Sequence, residues 1–183
     1  MTKNIAVLIG SLRKDSFSKA VAKSLMPLFP SDYNLEIVEI GDLPLYNQDY
    51  DDLDQVPAAY TTFRNKMQTM DAVLFVTPEY NRSVPAVLKN ALDVGSRPYG
   101  ASVWDNKPAE IVSVSPGAIS GFGANHHLRQ SLVFLNMPTV QQPEAYIGNV
   151  MNLLDDNQAV TNADTLKFFQ VIVDAFDTLI KRY

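Results

Sequence analysis

Three short segments combine hydrogen-bonding side chains with glycine or proline, and each follows an apolar run. The first is Gly10-Ser11-Leu12-Arg13-Lys14-Asp15-Ser16-Phe17-Ser18. Its hydroxyls and cations feed an expected helix start. The free N–H groups and partial positive charge of a helix start attract anions, and Arg13 can add a fork of charge-assisted bonds. The chemistry indicated is phosphate binding. The loop is not a Walker A loop, which needs Gly-Lys-Ser/Thr where this chain has Asp15-Ser16-Phe17. Nor is it a Gly-x-Gly-x-x-Gly loop, because Leu12 takes the place of the second glycine. A serine-hydroxyl loop here suits a monophosphate better than a pyrophosphate. The same residues also suit an ordinary βα turn in which Ser16 caps the helix and Arg13 is solvated.

The second segment is Thr77-Pro78-Glu79-Tyr80-Asn81-Arg82-Ser83-Val84-Pro85. Prolines stiffen it, and a stiff loop can aim backbone N–H groups at the heteroatoms of a flat ring, such as a flavin's pyrimidine edge and N5, with Tyr80 packed on the ring. A turn with a surface tyrosine is the plainer alternative. The third is Ser115-Pro116-Gly117-Ala118-Ile119-Ser120-Gly121-Phe122-Gly123, whose glycines let backbone approach a flat ligand closely. A flexible connection would use the same glycines.

Other chemistries find less support. There is no cysteine, so a disulfide framework, a thiolate zinc site and a thiol nucleophile are ruled out. No Gly-x-Ser-x-Gly elbow exists for a hydrolase. His126 and His127 are adjacent rather than four apart, so they do not share a helical face as metal ligands. They read as a surface pair at a helix start, with a contact to the ring site or a subunit interface as the alternative. Glu79 is an acid on paper, but shaping its loop is the simpler role. Met26, Met67, Met70 and Met137 fall at helix ends and suit core gaps. Trp104 falls in a loop and is expected to cover either the ring or an oligomer contact.

The positioning elements follow from hydropathy. Ile5–Ile9 (IAVLI) and a run within Asp71–Thr77 (AVLFV) read as strands buried on both faces, as in a parallel sheet, and Ala109–Val114 reads as a further strand. Leu35–Ile40 alternates and reads as a half-buried strand. A weak fifth strand starts at Thr139-Val140. Helical spacing covers Ser16–Phe29, ended by Pro30, then Val56–Met70, Pro85–Val94 with Pro85 in its first turn, Ala124–Phe134 and Thr161–Lys181. The stretch from Gly41 to about Gln55 reads as an Asp-rich loop. Alternating strands and helices mean an α/β doubly wound parallel sheet with right-handed crossovers. With five strands, the flavodoxin-like order 2-1-3-4-5 is expected. Ligands of such sheets bind beyond the carboxyl ends of the strands at the switch point. The three segments all follow strands there.

The 183 residues suit a single domain spanning 1–183. A net charge of −5 argues against a nucleic-acid or anionic-membrane surface. No apolar run approaches the ~18 residues of a membrane helix. Met1-Thr2-Lys3-Asn4 leads into an apolar run too short for a signal peptide. A cytoplasmic protein is expected.

The segments GSLRKDSFS, TPEYNRSVPAVLKNALD and HLRQSLVFL together resemble the NADPH-dependent FMN reductase family, and its bacterial quinone, azo-dye and chromate reductases in particular. The resemblance runs from about Ile5 to Glu144. It implies a flavodoxin-like fold holding FMN non-covalently, with NADPH or NADH as co-substrate and a small-molecule electron acceptor. Carried over, Ser11, Arg13, Ser16 and Ser18 would hold the FMN phosphate. Pro78, Glu79, Tyr80 and Asn81 would line the ring, and Ser115 and Gly117 would approach it. The family pattern ends Gly-Ser-x-Asn where this chain has Asp15-Ser16-Phe17-Ser18. Ser18 is a shorter donor than asparagine, and Asp15 puts a negative charge near the phosphate. The family also implies a homodimer or homotetramer. Ping-pong turnover at one substrate site is the expected kinetics, with no side chain needed as acid or base. The competing reading is a flavodoxin-type electron-transfer protein; such carriers are usually more acidic and use a Thr-rich first loop, whereas Arg13-Lys14 stand here.

Overall fold

A computed structural model describes residues 2–183. Its sheet contains strands β1 (Lys3–Ile9), β2 (Tyr33–Ile37), β3 (Ala72–Thr77), β4 (Ala109–Val114) and β5 (Ala145–Ile147). All pairings are parallel, in the order β2-β1-β3-β4-β5. This is the expected flavodoxin-like order. The two inner strands with continuous apolar sequence, β1 and β3, are buried along nearly their whole length, while β2 at the edge alternates between half-buried and exposed.

Helices cover both faces. On one, α1 (Phe17–Leu25) and α6 (Ala163–Ile180) pack on Ile5, Val7, Leu74 and Val112 through Val21, Leu25, Phe169 and Phe176. On the other, α3 (Ala58–Gln68), α4 (Ala86–Gly95) and α5 (Phe122–Phe134) cover Ala6, Leu8, Val73 and Phe75. Alternate strand residues serve alternate faces, as the two-residue strand period requires. Met67, Met70 and Met137 are buried in this second face, in the gap-filling role read from the sequence.

Three expectations need correction. The fifth strand does not start at Thr139-Val140. Thr139 makes an isolated bridge to Ala109, and the ladder with β4 resumes only at Ala145. Pro143 intervenes, and its missing N–H cannot extend a ladder. The Asp-rich loop contains a one-turn helix, α2 (Asp49–Asp52), with acidic residues in its first turn. Asp51 there forms a nearly buried bidentate pair with Arg64, at 2.8 and 3.0 Å. Finally, Trp104 covers neither a ring site nor an outer surface. It is fully buried beside Phe63 and Phe75, and its indole Nε1 donates to the Leu92 carbonyl at 2.9 Å. Aromatic bulk in a loop follows the hydrophobic gradient inward when its N–H finds an acceptor.

One buried group has no place in the binding site. Glu110 on β4 is 0% exposed, and neither carboxylate oxygen has a hydrogen-bond partner among the described residues. Burial pushes its carboxyl well above the usual range, opposed by the charge of Arg129. The folded protein therefore holds this proton more tightly than the unfolded chain. The resulting stability is present below the unfolded pKa, about 4.3, and is lost as pH rises towards the folded value. Glu110→Gln removes this titration. Thermal midpoints recorded against pH are expected to fall less steeply for the variant than for the wild type above that pH, and parallel curves would contradict the assignment.

Candidate functional site

The carboxyl ends of β1, β3 and β4 bring the three loops together around a cleft of about 140 Å³. It is lined by Ser11, Arg13, Ser16, Phe17 and Ser18 from the first loop, by Pro78, Glu79 and Tyr80 from the second, and by Val114, Ser115 and Pro116 from the third. Gly10 is what lets the first two loops meet. A Cβ there would lie 2.7 Å from Thr77 Oγ1 and 3.2 Å from Pro78 Cδ. Gly10→Ala should force these loops apart and reduce flavin loading of the purified protein, read by absorbance.

The first loop is rich in unused donors. Among the described residues, no main-chain N–H from Ser11 to Ser18 donates to a protein acceptor. Ser16 caps α1, its Oγ accepting from Lys19 N at 3.2 Å, which leaves its own O–H free to donate. Ser18 is only 1% exposed, and it lines the cleft. Arg13 lies over the Phe17 ring, 5.5 Å from its centroid, so the guanidinium is steered along the loop. Asp15 is exposed and forms no ion pair with Lys14 among the described residues.

The only carboxylate in the cleft lining, Glu79, is already occupied. Its Oε2 accepts from Ala124 N at 3.1 Å at the start of α5, and its Oε1 from Arg82 Nη1 at 3.2 Å. Its role is to pin the second loop to α5, the shaping role read from the sequence. That loop closes as a tight turn in which Tyr80 and Ser83 exchange N–H···O bonds of 3.0 Å. Asn81 at φ 51° belongs to this turn and lies outside the cleft lining. His127 braces the turn from α5, its Nδ1 3.0 Å from Ser83 Oγ. His126 turns towards β5 instead, with Nε2 2.9 Å from the Tyr146 hydroxyl.

In the third loop, Ser115 lines the cleft and its Oγ accepts from Gly117 N at 3.0 Å. Gly117 lies beyond the lining, and a Cβ there would meet nothing nearer than Ser115 Oγ at 3.6 Å. The loop surface is therefore open at this point. Sequence reasoning missed Phe17 as a wall of the cleft and Thr77 as the contact behind Gly10. Phe17 has no distinguishing sequence signal. Thr77 was visible only as a polar residue ending an apolar strand.

The donor set fits the phosphate end of FMN: N–H groups, hydroxyls and one guanidinium, with the lone carboxylate turned away. Ligand pockets usually span about 300–1,000 Å³, so this cleft alone is too small for a whole mononucleotide; Tyr80 in its lining is exposed.

Comparison with known proteins points the same way. A quinone reductase of Pseudomonas putida is 57% identical over 178 residues, 97% of this chain and 95% of that protein. A 2-hydroxy-1,4-benzoquinone reductase of Burkholderia sp is 44% identical, covering 99% and 98%. The solved structure of FerB, a flavoenzyme NAD(P)H:(acceptor) oxidoreductase from Paracoccus denitrificans, superposes with a TM-score of 0.91 at 38% identity over 98% of both chains. Residues 3–152 match the model of one family, and with these relatives they establish that the chain belongs to the NADPH-dependent FMN reductases.

Proposed function

We propose that the protein is an FMN-dependent NAD(P)H oxidoreductase that passes two electrons to a quinone, azo compound or similar small acceptor. The observation that carries this reading is the donor-lined cleft at the carboxyl ends of β1, β3 and β4. The names of the relatives supply the acceptor class.

In this reading the unused N–H groups of the first loop, with Ser11, Ser18 and Arg13, hold the FMN phosphate against the start of α1. Ser16 keeps the cap and adds its hydroxyl proton. Pro78, Glu79, Tyr80 and Asn81 set the wall beside the ring. Glu79 acts through its bond to Ala124 N, which fixes that wall in place. Ser115 and Gly117 leave the opposite side open. Bound there, FMN would supply the hydride and two-electron chemistry that links nicotinamide to acceptor. The protein contributes binding, orientation and an open rim at which donor and acceptor take turns.

A single domain of this size offers one such rim, so turnover is ping-pong. Steady-state rates of NADPH oxidation with a quinone should give parallel double-reciprocal lines. Intersecting lines would mean that both substrates bind together. Failure of the purified protein to oxidise NADPH with any quinone would favour an electron carrier.

The reading includes a cytoplasmic homodimer or homotetramer. Among the described residues no helix is long and apolar enough to cross a membrane. A concavity of about 660 Å³ runs between α4 and α5, with Leu92 and Leu135 in its wall and the highly exposed Phe134 at its edge. Such a surface suits a second copy of the chain. Sedimentation should give a dimer or tetramer, and Phe134→Glu should shift it towards monomer.

A further inference from the structure

We propose that Arg82 is the cation that receives a phosphate group of the reduced dinucleotide, and so governs which hydride donors the site accepts. This rests on the oxidoreductase reading above. Arg82 occupies the second central position of the turn between Tyr80 and Ser83. Both central residues have positive φ, 51° at Asn81 and 65° at Arg82. Asparagine and glycine favour this backbone, while a long side chain is crowded there. The turn itself therefore gives no reason for an arginine.

The mount is fixed and the side chain is free. Gly123 of α5 lies so close behind that an added Cβ would come within 2.7 Å of the Arg82 carbonyl oxygen. The Arg82 side chain, in contrast, is 71% exposed, and its ion-pair partner is Glu79 at 3.2 Å. Glu79 does not depend on that pair, because its other oxygen holds Ala124 N and its side chain is only 11% exposed. The guanidinium can thus leave Glu79 for a phosphate while the loop keeps its shape. A planar fork matches phosphate oxygens in pairs.

The position also fits. Glu79 and Tyr80 line the cleft, and the pair with Glu79 sets the Arg82 guanidinium beside that lining. Arg13 and Lys14 belong to the first loop, at the end of the cleft assigned to the FMN phosphate. Arg82 is the cation of the second loop. A chain of net charge −5 repels an anionic dinucleotide, so a local cation decides how readily that donor approaches.

The test compares Arg82→Asn, a residue at ease at positive φ, and Arg82→Lys with the wild type. The hydride donors are NADPH, NADH and the phosphate-free 1-benzyl-1,4-dihydronicotinamide, with saturating quinone and flavin content checked. The asparagine variant should raise the dinucleotide KM about tenfold or more, and lysine should restore part of it. The wild-type KM should climb with salt and the asparagine variant's should not. Kinetics with the phosphate-free donor should be alike in all three proteins. A larger rise for NADPH than NADH assigns the contact to the 2′-phosphate, and equal rises assign it to the diphosphate. Unchanged dinucleotide KM values would overturn the proposal. So would an equal loss with the phosphate-free donor, which would make Arg82 a brace for Glu79. A wild type that binds no flavin or oxidises no dinucleotide overturns the underlying reading as well, and is told apart because the unmodified protein itself fails.

Discussion

Arg13→Ala is expected to weaken FMN binding by roughly tenfold to a hundredfold, the range of one lost charge-assisted hydrogen-bonding group. Arg13 is exposed and touches no carboxylate among the described residues, so its removal leaves no buried charge behind. Its loop keeps the capped start of α1 through Ser16 and Lys19. Thermal stability without flavin should hence be little changed. Arg13→Lys should recover part of the affinity, because the charge remains but the fork is gone. Fluorescence titration of FMN into apoprotein reads all three. An unchanged dissociation constant would place the phosphate elsewhere.

Trp104→Ala should cost about 3–5 kcal/mol of stability, the usual range for a buried large aromatic. In a chain of this length that lowers the melting midpoint by roughly 6–20 °C. The indole fills the space between α4 and the sheet, and Gly95 packs on it so closely that a Cβ there would lie 2.5 Å from its Cζ2. Its removal leaves a cavity and takes one of the two hydrogen bonds from the Leu92 carbonyl, which keeps that from Ser96 N. Trp104→Phe should lose less, since it keeps part of the volume. Calorimetry checks the series. A loss under about 1 kcal/mol would mean that the site collapses around the smaller side chain.

How much of this was legible in the sequence depends on the range of the physics involved. β1 and β3 declared themselves because strands buried on both faces need unbroken apolar runs. The first loop stood out because serine hydroxyls and an arginine ahead of a helix can bind an anion, and the fold brings that loop to the carboxyl ends of β1, β3 and β4. The rest needed three dimensions. β5 is only Ala145–Ile147, too short for a period to show, while Thr139-Val140 looked equally strand-like. Trp104 was misplaced because a loop residue's burial depends on packing partners distant in sequence, Phe63 and Phe75 among them. Arg82 read as one more polar residue, since its positive φ and the clamp from Gly123 appear only in the folded backbone. Glu110 carried no sequence signal, because a lone glutamate in a strand normally faces water.

The central claim is that the cleft between the three loops holds FMN that a nicotinamide can reduce. The most direct measurement is the visible absorption spectrum of the purified protein, reconstituted with FMN where needed, before and after NADPH is added without oxygen. The account predicts flavin bands that bleach on NADPH and return when a quinone is supplied. A colourless protein that takes up no added FMN would contradict it, as would flavin bands that NADPH and NADH leave untouched.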